Sequence, residues 1–464
     1  MNAAVPATRP PAMMDLAEAA RAVRGTLEGT AVPFSGVSTD SRAVCAGDLF
    51  VALKGERFDG HRYVEEAVRR GAAAALTSRR VEAGLPVAQV VVDDTRLALG
   101  RLAAYWRERF ASPLVALTGS NGKTTVKEML GAILAAHCGS RDAVLATAGN
   151  LNNDIGMPLT LLALRERHRY AVIEMGMNHE GEIDYLTRIA RPTVALVNNA
   201  QRAHVGLLGG LEAIARAKGE IYGGLGEDGV AAVNEDDAFA PYWKGLNAGR
   251  RIVTFGFASD AQVRAVKAGD GWRFVVPGAS FPVALRVAGE HNVRNALAAC
   301  AAAQALGVPA AAMQSGLAAF AGVPGRLQRR PAAHGSTVID DTYNANPESM
   351  KAALKVLAAE GGRKVLVMGD MGELGAQSAA MHAEVGEFAR RCGIEALLAL
   401  GEDSRHAAKA FGEGAHHFTD AARLLEAAEA EAKAGATLLV KGSRFMRMER
   451  VADALAREGG RDAV

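Results

Sequence analysis

Short apolar runs alternate with helically spaced stretches along most of this chain. Leu114–Leu117, Tyr170–Glu174, Val194–Asn198 and Val230–Asn234 each read as a buried strand leading into a helix. That repeat predicts a mostly parallel sheet with covering helices over residues 101–325. Phe274–Val276 and Val283–Val287 read as added antiparallel strands, and Val293–Leu306 and Ala310–Ala321 as two closing helices. A second alternation starts near residue 326. Its strands are Thr337–Asp340, Val365–Met368, Ala396–Leu400 and Leu438–Lys441, and its helices are Pro347–Ala359, Ala379–Arg391, Ala421–Lys433 and Met446–Ala456. The first 100 residues form a smaller unit with a β-like run at Leu49–Leu53, a helix at His61–Gly71 and short apolar runs at 72–77 and 88–92. Asp93-Asp94-Thr95 caps a long helix, Arg96–Arg109. The expected fold class is α/β, in three domains spanning 1–100, 101–325 and 326–464, with a flexible extension before about Asp15.

Composition narrows the class. A chain of 464 residues suits two to four domains of roughly 100–200 residues. Lys and Arg number 53 against 51 Asp and Glu, so no broad basic field exists for nucleic acid. Cys45, Cys138, Cys300 and Cys392 are scattered, which fits free thiols in a reducing compartment. Pro and Arg occupy the N-terminal positions where a secretion signal needs an apolar core. The uncharged stretch Ala296–Gly325 has membrane-spanning length, but Gln304, Gln314 and Ser315 interrupt it and Gly307-Val308-Pro309 breaks it in two. A cytoplasmic monomer without membrane insertion or nucleic-acid partner is expected.

One turn carries the first chemical signal. After Leu114–Leu117 come Thr118-Gly119-Ser120-Asn121-Gly122-Lys123-Thr124-Thr125, and then a helical pattern. Phosphate-binding loops need glycine where backbone N–H groups converge, lysine for the terminal phosphates, and a hydroxyl for Mg²⁺. Gly122-Lys123-Thr124 meets that need. The common spacing would place the first glycine at position 117, which is leucine; here it is Gly119. Glu174 ends the next strand, at the edge where α/β sheets bind ligands, and a carboxylate there can hold Mg²⁺ beside Thr124. Asn198-Asn199-Ala200 ends another strand and leads to His204. Alone, Glu174 reads as a solvated strand-end acid and Lys218 as a helix-surface lysine.

The loop resembles the ATP-binding loop of the Mur ligase family, which includes folylpolyglutamate synthetases and joins an amine to a carboxylate through an acyl phosphate. The resemblance implies that Gly119, Ser120, Asn121, Gly122, Lys123, Thr124 and Thr125 bind ATP. It implies Asn295, in Gly289–Ala296, near the adenine, and Arg326 and Asp341 on the phosphate or ribose side. It implies two Mg²⁺ sites, with Thr124 and Glu174 at one and His204 and a carbamylated Lys218 at the second, and catalytic roles for Lys123, Lys218 and His204.

Other segments resemble one branch of the family, whose members add D-alanyl-D-alanine to UDP-N-acetylmuramoyl-tripeptide. Tyr343-Asn344-Ala345-Asn346-Pro347 is the most telling of them, with Met368–Gly375, Ser378 and His382, and Val440–Arg444 leading into Met448-Glu449. These imply that Tyr343, Asn344, Asn346, Lys441 and Ser443 line the dipeptide's cleft. Thr147–Gly156, with Asn150, Asn152 and Asn153, resembles the loop that handles the muramoyl-peptide. Ser38–Arg42, with Ser41 and Arg42, resembles part of a uridine-nucleotide domain. The implied architecture is that domain, a P-loop ATPase domain and a Rossmann-like C-terminal domain. Against the preceding ligase of the pathway, the Asp-Asn-Pro-Arg motif of its diaminopimelate-adding members is absent. A folylpolyglutamate synthetase lacks the N-terminal unit. A nucleotide-driven switch would turn over ATP without an amine.

Overall fold

A computed structural model describes residues 11–56, 58–82, 86–202 and 209–459. The apolar runs become three sheets. The first has five strands in the order Thr26–Glu28, Ala88–Val91, Ala74–Thr77, Asp48–Val51, Gly36–Ser38; only its first pair is antiparallel. Asp94 caps the helix Thr95–Arg107 by accepting from the Arg96 and Leu97 amides, as the polar run before it predicts. The expected helix at 61–71 is a 3₁₀ turn, Gly60–Tyr63, running into Val64–Arg69. The ordered chain begins earlier than Asp15: Met13 and Met14 are buried and Met14–Asp15 pairs with Pro33–Phe34. Residues 1–10 of the expected extension lie outside the described residues.

The second sheet has nine strands. Six run parallel in the order Val144–Ala146, Tyr170–Glu174, Leu114–Thr118, Val194–Val197, Val230–Asn234, Arg251–Gly256. Its central strands are buried on both faces, so they alternate between two cores. Ala116, Ile173 and Val197 face one core, beneath the helices Thr95–Arg107 and Glu182–Ala190. Val115, Leu117 and Val172 face the other, beneath Lys123–Cys138, Glu290–Ala305 and Ala310–Ala319. Val263–Ala268, Gly271–Val276 and Ala279–Val283 extend the sheet, the last two antiparallel. The strand expected at Val283–Val287 therefore lies earlier, because the hairpin turns at Gly278 with φ of 79°.

The third sheet has six strands in the order Gln328–Pro331, Thr337–Asp341, Thr437–Lys441, Lys364–Gly369, Ala396–Leu400, Ala415–Phe418. Its five-strand core is parallel, and Gln328–Pro331 is an antiparallel edge. The helix expected from Met446 starts at Glu449, after a 3₁₀ turn over Arg444–Met446. Among the described residues no helix is long and apolar enough to cross a membrane. The strand ends Glu174, Asp341 and Lys441 line one large cleft between the second and third sheets.

Candidate active site

The cleft is a cavity of about 2260 Å³. Ser120 to Thr125 line one wall. Gly122 adopts φ of 80°, and a Cβ there would lie 2.3 Å from the Asn295 side-chain oxygen, so only glycine fits this close approach. The polar strand ends hold the loop in shape. Asn199 Oδ1 accepts from the Asn121 amide at 2.9 Å, and Asn198 Nδ2 donates to the Asn121 carbonyl at 2.9 Å and to Asn295 Oδ1 at 3.0 Å. Asn295 thus sits against the loop. Gly119 anchors the lysine: its carbonyl accepts from Lys123 Nζ at 2.7 Å. Burial pushes the Lys123 amine below its ordinary pKa; Glu174 opposes the shift and Arg326 adds to it.

Glu174 is buried and addressed from both oxygens. Thr124 Oγ1 donates to Oε2 at 2.8 Å, and Asn152 Nδ2 to Oε1 at 2.7 Å. Thr147 Oγ1 accepts from the Glu174 amide at 2.9 Å, and the Thr147 carbonyl accepts from the buried Lys127 amine at 2.6 Å. A hydroxyl and a carboxylate within hydrogen-bond reach, both hard oxygen donors, fit one Mg²⁺ that would take over their mutual contact. Lys218 is buried, not on the helix surface. Burial and then the Lys123 charge push its amine well below the ordinary lysine value of 10.5. His204 lies outside the described residues, so of the pair expected at a second metal only Lys218 is described.

The third sheet supplies the facing wall. Arg326 Nη2 donates to Thr124 Oγ1 at 2.9 Å, and its guanidinium lies 4.2 Å from the Tyr343 ring centroid. Asn346 Nδ2 donates to Asn121 Oδ1 at 2.8 Å, so the Tyr343–Pro347 segment touches the tip of the phosphate loop. Lys441 Nζ pairs with Asp341 Oδ2 at 2.6 Å and donates to the Asn344 carbonyl at 2.8 Å. Burial raises the Asp341 pKa and Lys441 holds it back. Ser443 Oγ donates to the Ala345 carbonyl at 3.2 Å and accepts from the Gly372 amide at 2.7 Å.

Some expected residues do other work. Asn150 and Asn153 both line the cavity, and Asn153 Oδ1 also accepts from Gly156 N at 2.8 Å, ahead of the helix Gly156–Leu162. His382 is fully buried behind the cleft; its Nε2 accepts from the Met371 amide at 2.9 Å and so shapes the loop after Gly369. Ser41 and Arg42 are not brought to the cavity: Ser41 bonds Glu66 at 3.1 Å and exposed Arg42 pairs with Asp40 at 2.8 Å. Sequence reasoning missed Arg202. Its guanidinium contacts Glu348 at 2.5 Å and Glu384 at 3.0 Å, and Lys351 also pairs with Glu384. This network joins the second and third sheets' units, and its partners lie about 150 or more residues apart, beyond any local sequence signal. Half-buried His291, held down to about 4 by desolvation and then by the charges of Lys441, Arg294 and Lys355, was also given no role.

Comparisons with known proteins agree on one family. Three family models match the chain: "Mur ligase family, catalytic domain" over 33–107, "Mur ligase middle domain" over 117–303 and "Mur ligase, glutamate ligase domain" over 325–444. The UDP-N-acetylmuramoyl-tripeptide–D-alanyl-D-alanine ligase of Escherichia coli is 44% identical, covering 94% of this chain and 97% of the relative. A crystal structure of MurF from Acinetobacter baumannii aligns with a TM-score of 0.89 at 40% identity, over 96% of this chain and 99% of that one. MurF from Thermotoga maritima in complex with ADP aligns with a TM-score of 0.79 at 28% identity, over 92% and 98%.

Proposed function

The chain belongs to the Mur ligase family, and on that premise we propose that it ligates D-alanyl-D-alanine to UDP-N-acetylmuramoyl-tripeptide at the expense of ATP. The observation that carries the reading is the contact of Asn346 with Asn121. It places the segment that distinguishes the dipeptide-adding branch against the loop that holds the nucleotide's phosphates.

The residues divide the work as follows. The amides of Ser120–Thr125 and the Lys123 amine receive the β- and γ-phosphates of ATP. Arg326 is within reach of the same oxygens. Asn295 serves the adenine side and Asp341 the ribose or phosphate side. The tripeptide's terminal carboxylate attacks the γ-phosphorus and ADP leaves, giving an acyl phosphate. The dipeptide amine adds to the acyl carbon, a proton is lost, and the tetrahedral adduct collapses with release of inorganic phosphate. Asn150, Asn152 and Asn153 line the donor side; Tyr343, Asn344, Asn346, Lys441 and Ser443 line the acceptor side. Ser41 and Arg42, remote from the cleft, suit the distant uridine end of a long substrate.

Thr124 and Glu174 would hold one Mg²⁺, which supplies charge neutralisation at the transferring phosphoryl group. Lys218 and His204 are assigned to a second. The depressed amine of Lys218 supports carbamylation there: a neutral amine adds CO₂, loses a proton to solvent and becomes a carbamate anion that attracts Lys123 where an ammonium would repel it. Positioning and charge stabilisation account for most of the catalysis.

The test measures ATP turnover with UDP-N-acetylmuramoyl-tripeptide, with and without D-alanyl-D-alanine. Dipeptide-stimulated turnover that yields a pentapeptide is expected. Turnover indifferent to the dipeptide would overturn the reading and favour a nucleotide-driven switch.

A further inference from the structure

The acceptor wall carries more cationic groups than its described contacts neutralise. Lys441 is engaged by Asp341 and the Asn344 carbonyl, Lys351 by Glu384, and Arg329 by Glu360. Lys355 lies on the His291 side of the cavity. Arg444 is paired too, with Glu449, but it is more exposed than Lys441, Lys351 or Arg329. It follows the strand Thr437–Lys441 in a 3₁₀ turn, and its side chain is 65% exposed. One nitrogen, Nη1, reaches Glu449 at 3.2 Å, and the residue lines the cavity.

Its position is fixed relative to the phosphate loop by two contacts. Arg326 bonds Thr124 and lies 4.2 Å from the Tyr343 ring centroid; the Arg444 guanidinium lies 5.9 Å from the same centroid. The two guanidinium groups therefore lie no more than about 10 Å apart beside the same ring. A dipeptide extended from its attacking amine spans at most about 7 Å, so its carboxylate can reach Arg444 while its amine stays on the Arg326 side. Next to Arg444, Phe445 is 63% exposed, with its ring packed against Gly372, where a Cβ would lie 2.9 Å away. A guanidinium beside an exposed aromatic face suits a short apolar peptide that ends in a carboxylate.

We infer that Arg444 is the specificity-determining residue that binds the C-terminal carboxylate of the incoming dipeptide, with Phe445 walling its methyl groups. The inference rests on the ligase reading above and assigns a subsite within it. It explains how a cleft built to neutralise phosphate could still reject amines that lack a distal carboxylate: they leave the guanidinium uncompensated.

The test is a substrate–variant cycle. Wild type, Arg444→Ala, Arg444→Lys and Arg447→Ala are assayed with D-alanyl-D-alanine and with its C-terminal amide. Wild type should prefer the free carboxylate by about 10–100-fold in kcat/KM, the range of a charge-assisted hydrogen bond. The preference should appear mainly in the dipeptide KM. In Arg444→Ala it should collapse to nearly one, with the KM values for ATP and the nucleotide-tripeptide unchanged, and Arg444→Lys should restore part of it. Arg447, which lines the cavity three residues on without approaching Tyr343, should keep the preference when replaced. An Arg444→Ala loss of equal size with both acceptors would mark a structural role and overturn the inference. So would collapse in Arg447→Ala instead. A wild type that uses the dipeptide without discriminating against the amide overturns this inference alone. A wild type that ignores both acceptors overturns the ligase reading with it.

Discussion

The two walls of the cleft handle charge in opposite ways. On the nucleotide wall, burial depresses the amines of both Lys123 and Lys218; Glu174 opposes the shift at Lys123 and Arg326 adds to it, while the Lys123 charge adds to the shift at Lys218. On the acceptor wall, charges close on themselves: Lys441 on Asp341, and Lys351 and Arg202 on Glu384. The first wall holds unrelieved electrostatic free energy that polyphosphate, metal and carbamate would relieve. The second pairs most of its charges within itself and presents amides, a ring and Arg444. A site organised this way binds nucleotide through charge and selects its acceptor through reach and shape.

The contrast breaks hardest at Lys123. Lys123→Ala should lower kcat by about 10²–10³-fold or more, with the acceptor KM little changed, because the acceptor wall does not depend on that charge. Steady-state kinetics with each substrate varied in turn checks the split. An acceptor KM that rises in step with the loss of kcat would merge the two walls into one unit.

Lys218→Met sharpens the same point from the stability side. Activity should fall below a tenth of wild type, and Lys218→Ala should recover part of it in short carboxylates if a carbamate is the working group. The variant should also melt higher than wild type in the absence of ligands, by about 2–4 °C for each kcal/mol relieved. The sign follows from proton linkage. The folded state holds this lysine below 10.5, so between its depressed value and 10.5 the unfolded chain binds more protons, and wild-type stability rises with pH. The variant's advantage is therefore largest at low pH and fades toward 10.5. Thermal unfolding across a pH series measures it, and an advantage that grows with pH refutes the assignment of a neutral amine.

Legibility in the sequence follows the same division. The nucleotide wall is built from contiguous stretches at strand ends, so glycines, a lysine and a hydroxyl in one loop announce it. Glu174 could be placed because it closes a five-residue strand whose other four residues are apolar. The runs of buried strands were legible for the same reason. Edge strands were not: Gln328–Pro331 and the His416-His417 strand are polar and partly exposed, so alternation fails there. Burial of Lys218 was illegible because its helix carries Arg216 and Lys218 on a mixed pattern, and only the packing of the unit decides which side faces inward. His382 looked like a cleft residue and became a buried loop anchor, since motif adjacency does not reveal which way a helix side chain points.

Between the walls lies the Asn121–Asn346 amide pair. Asn346→Ala should lower kcat about 3–10-fold, with little effect on nucleotide binding measured in the absence of acceptor. A double-mutant cycle with Asn121→Ala should show coupling of about 0.5–1.5 kcal/mol. Asn346 also caps the helix Pro347–Ala358, where its side chain accepts from Ser349 N at 2.9 Å. Asn346→Asp preserves the cap while removing the donor to Asn121, so a loss that persists in Asn346→Asp belongs to the inter-wall contact and not to the helix.

The smallest effect is expected at Arg202. Its network with Glu348, Glu384 and Lys351 spans the two units but is roughly a quarter to a third exposed, so screening limits its worth. Arg202→Ala should change kcat by no more than about 2–5-fold at low salt, and the difference should shrink as ionic strength rises past about 0.15 M. The pH dependence has a fixed sign as well. Hydrogen bonding to Arg202 is the main cause that lowers Glu384 from 4.5 to about 2, so the contact is fully formed above 4.5 and is lost as pH falls through about 2. Small-angle scattering of the ligand-free protein reads the consequence directly. If the network holds the third unit against the second, Arg202→Ala and Glu384→Gln should each increase the radius of gyration at neutral pH and low salt, and high salt should bring wild type to the same value. Unchanged scattering in both variants would leave Asn121–Asn346 and Arg326–Thr124 as sufficient bridges. Charge on the acceptor wall would then be spectator to closure, and the division between a wall that binds by charge and one that selects by shape would be sharper still.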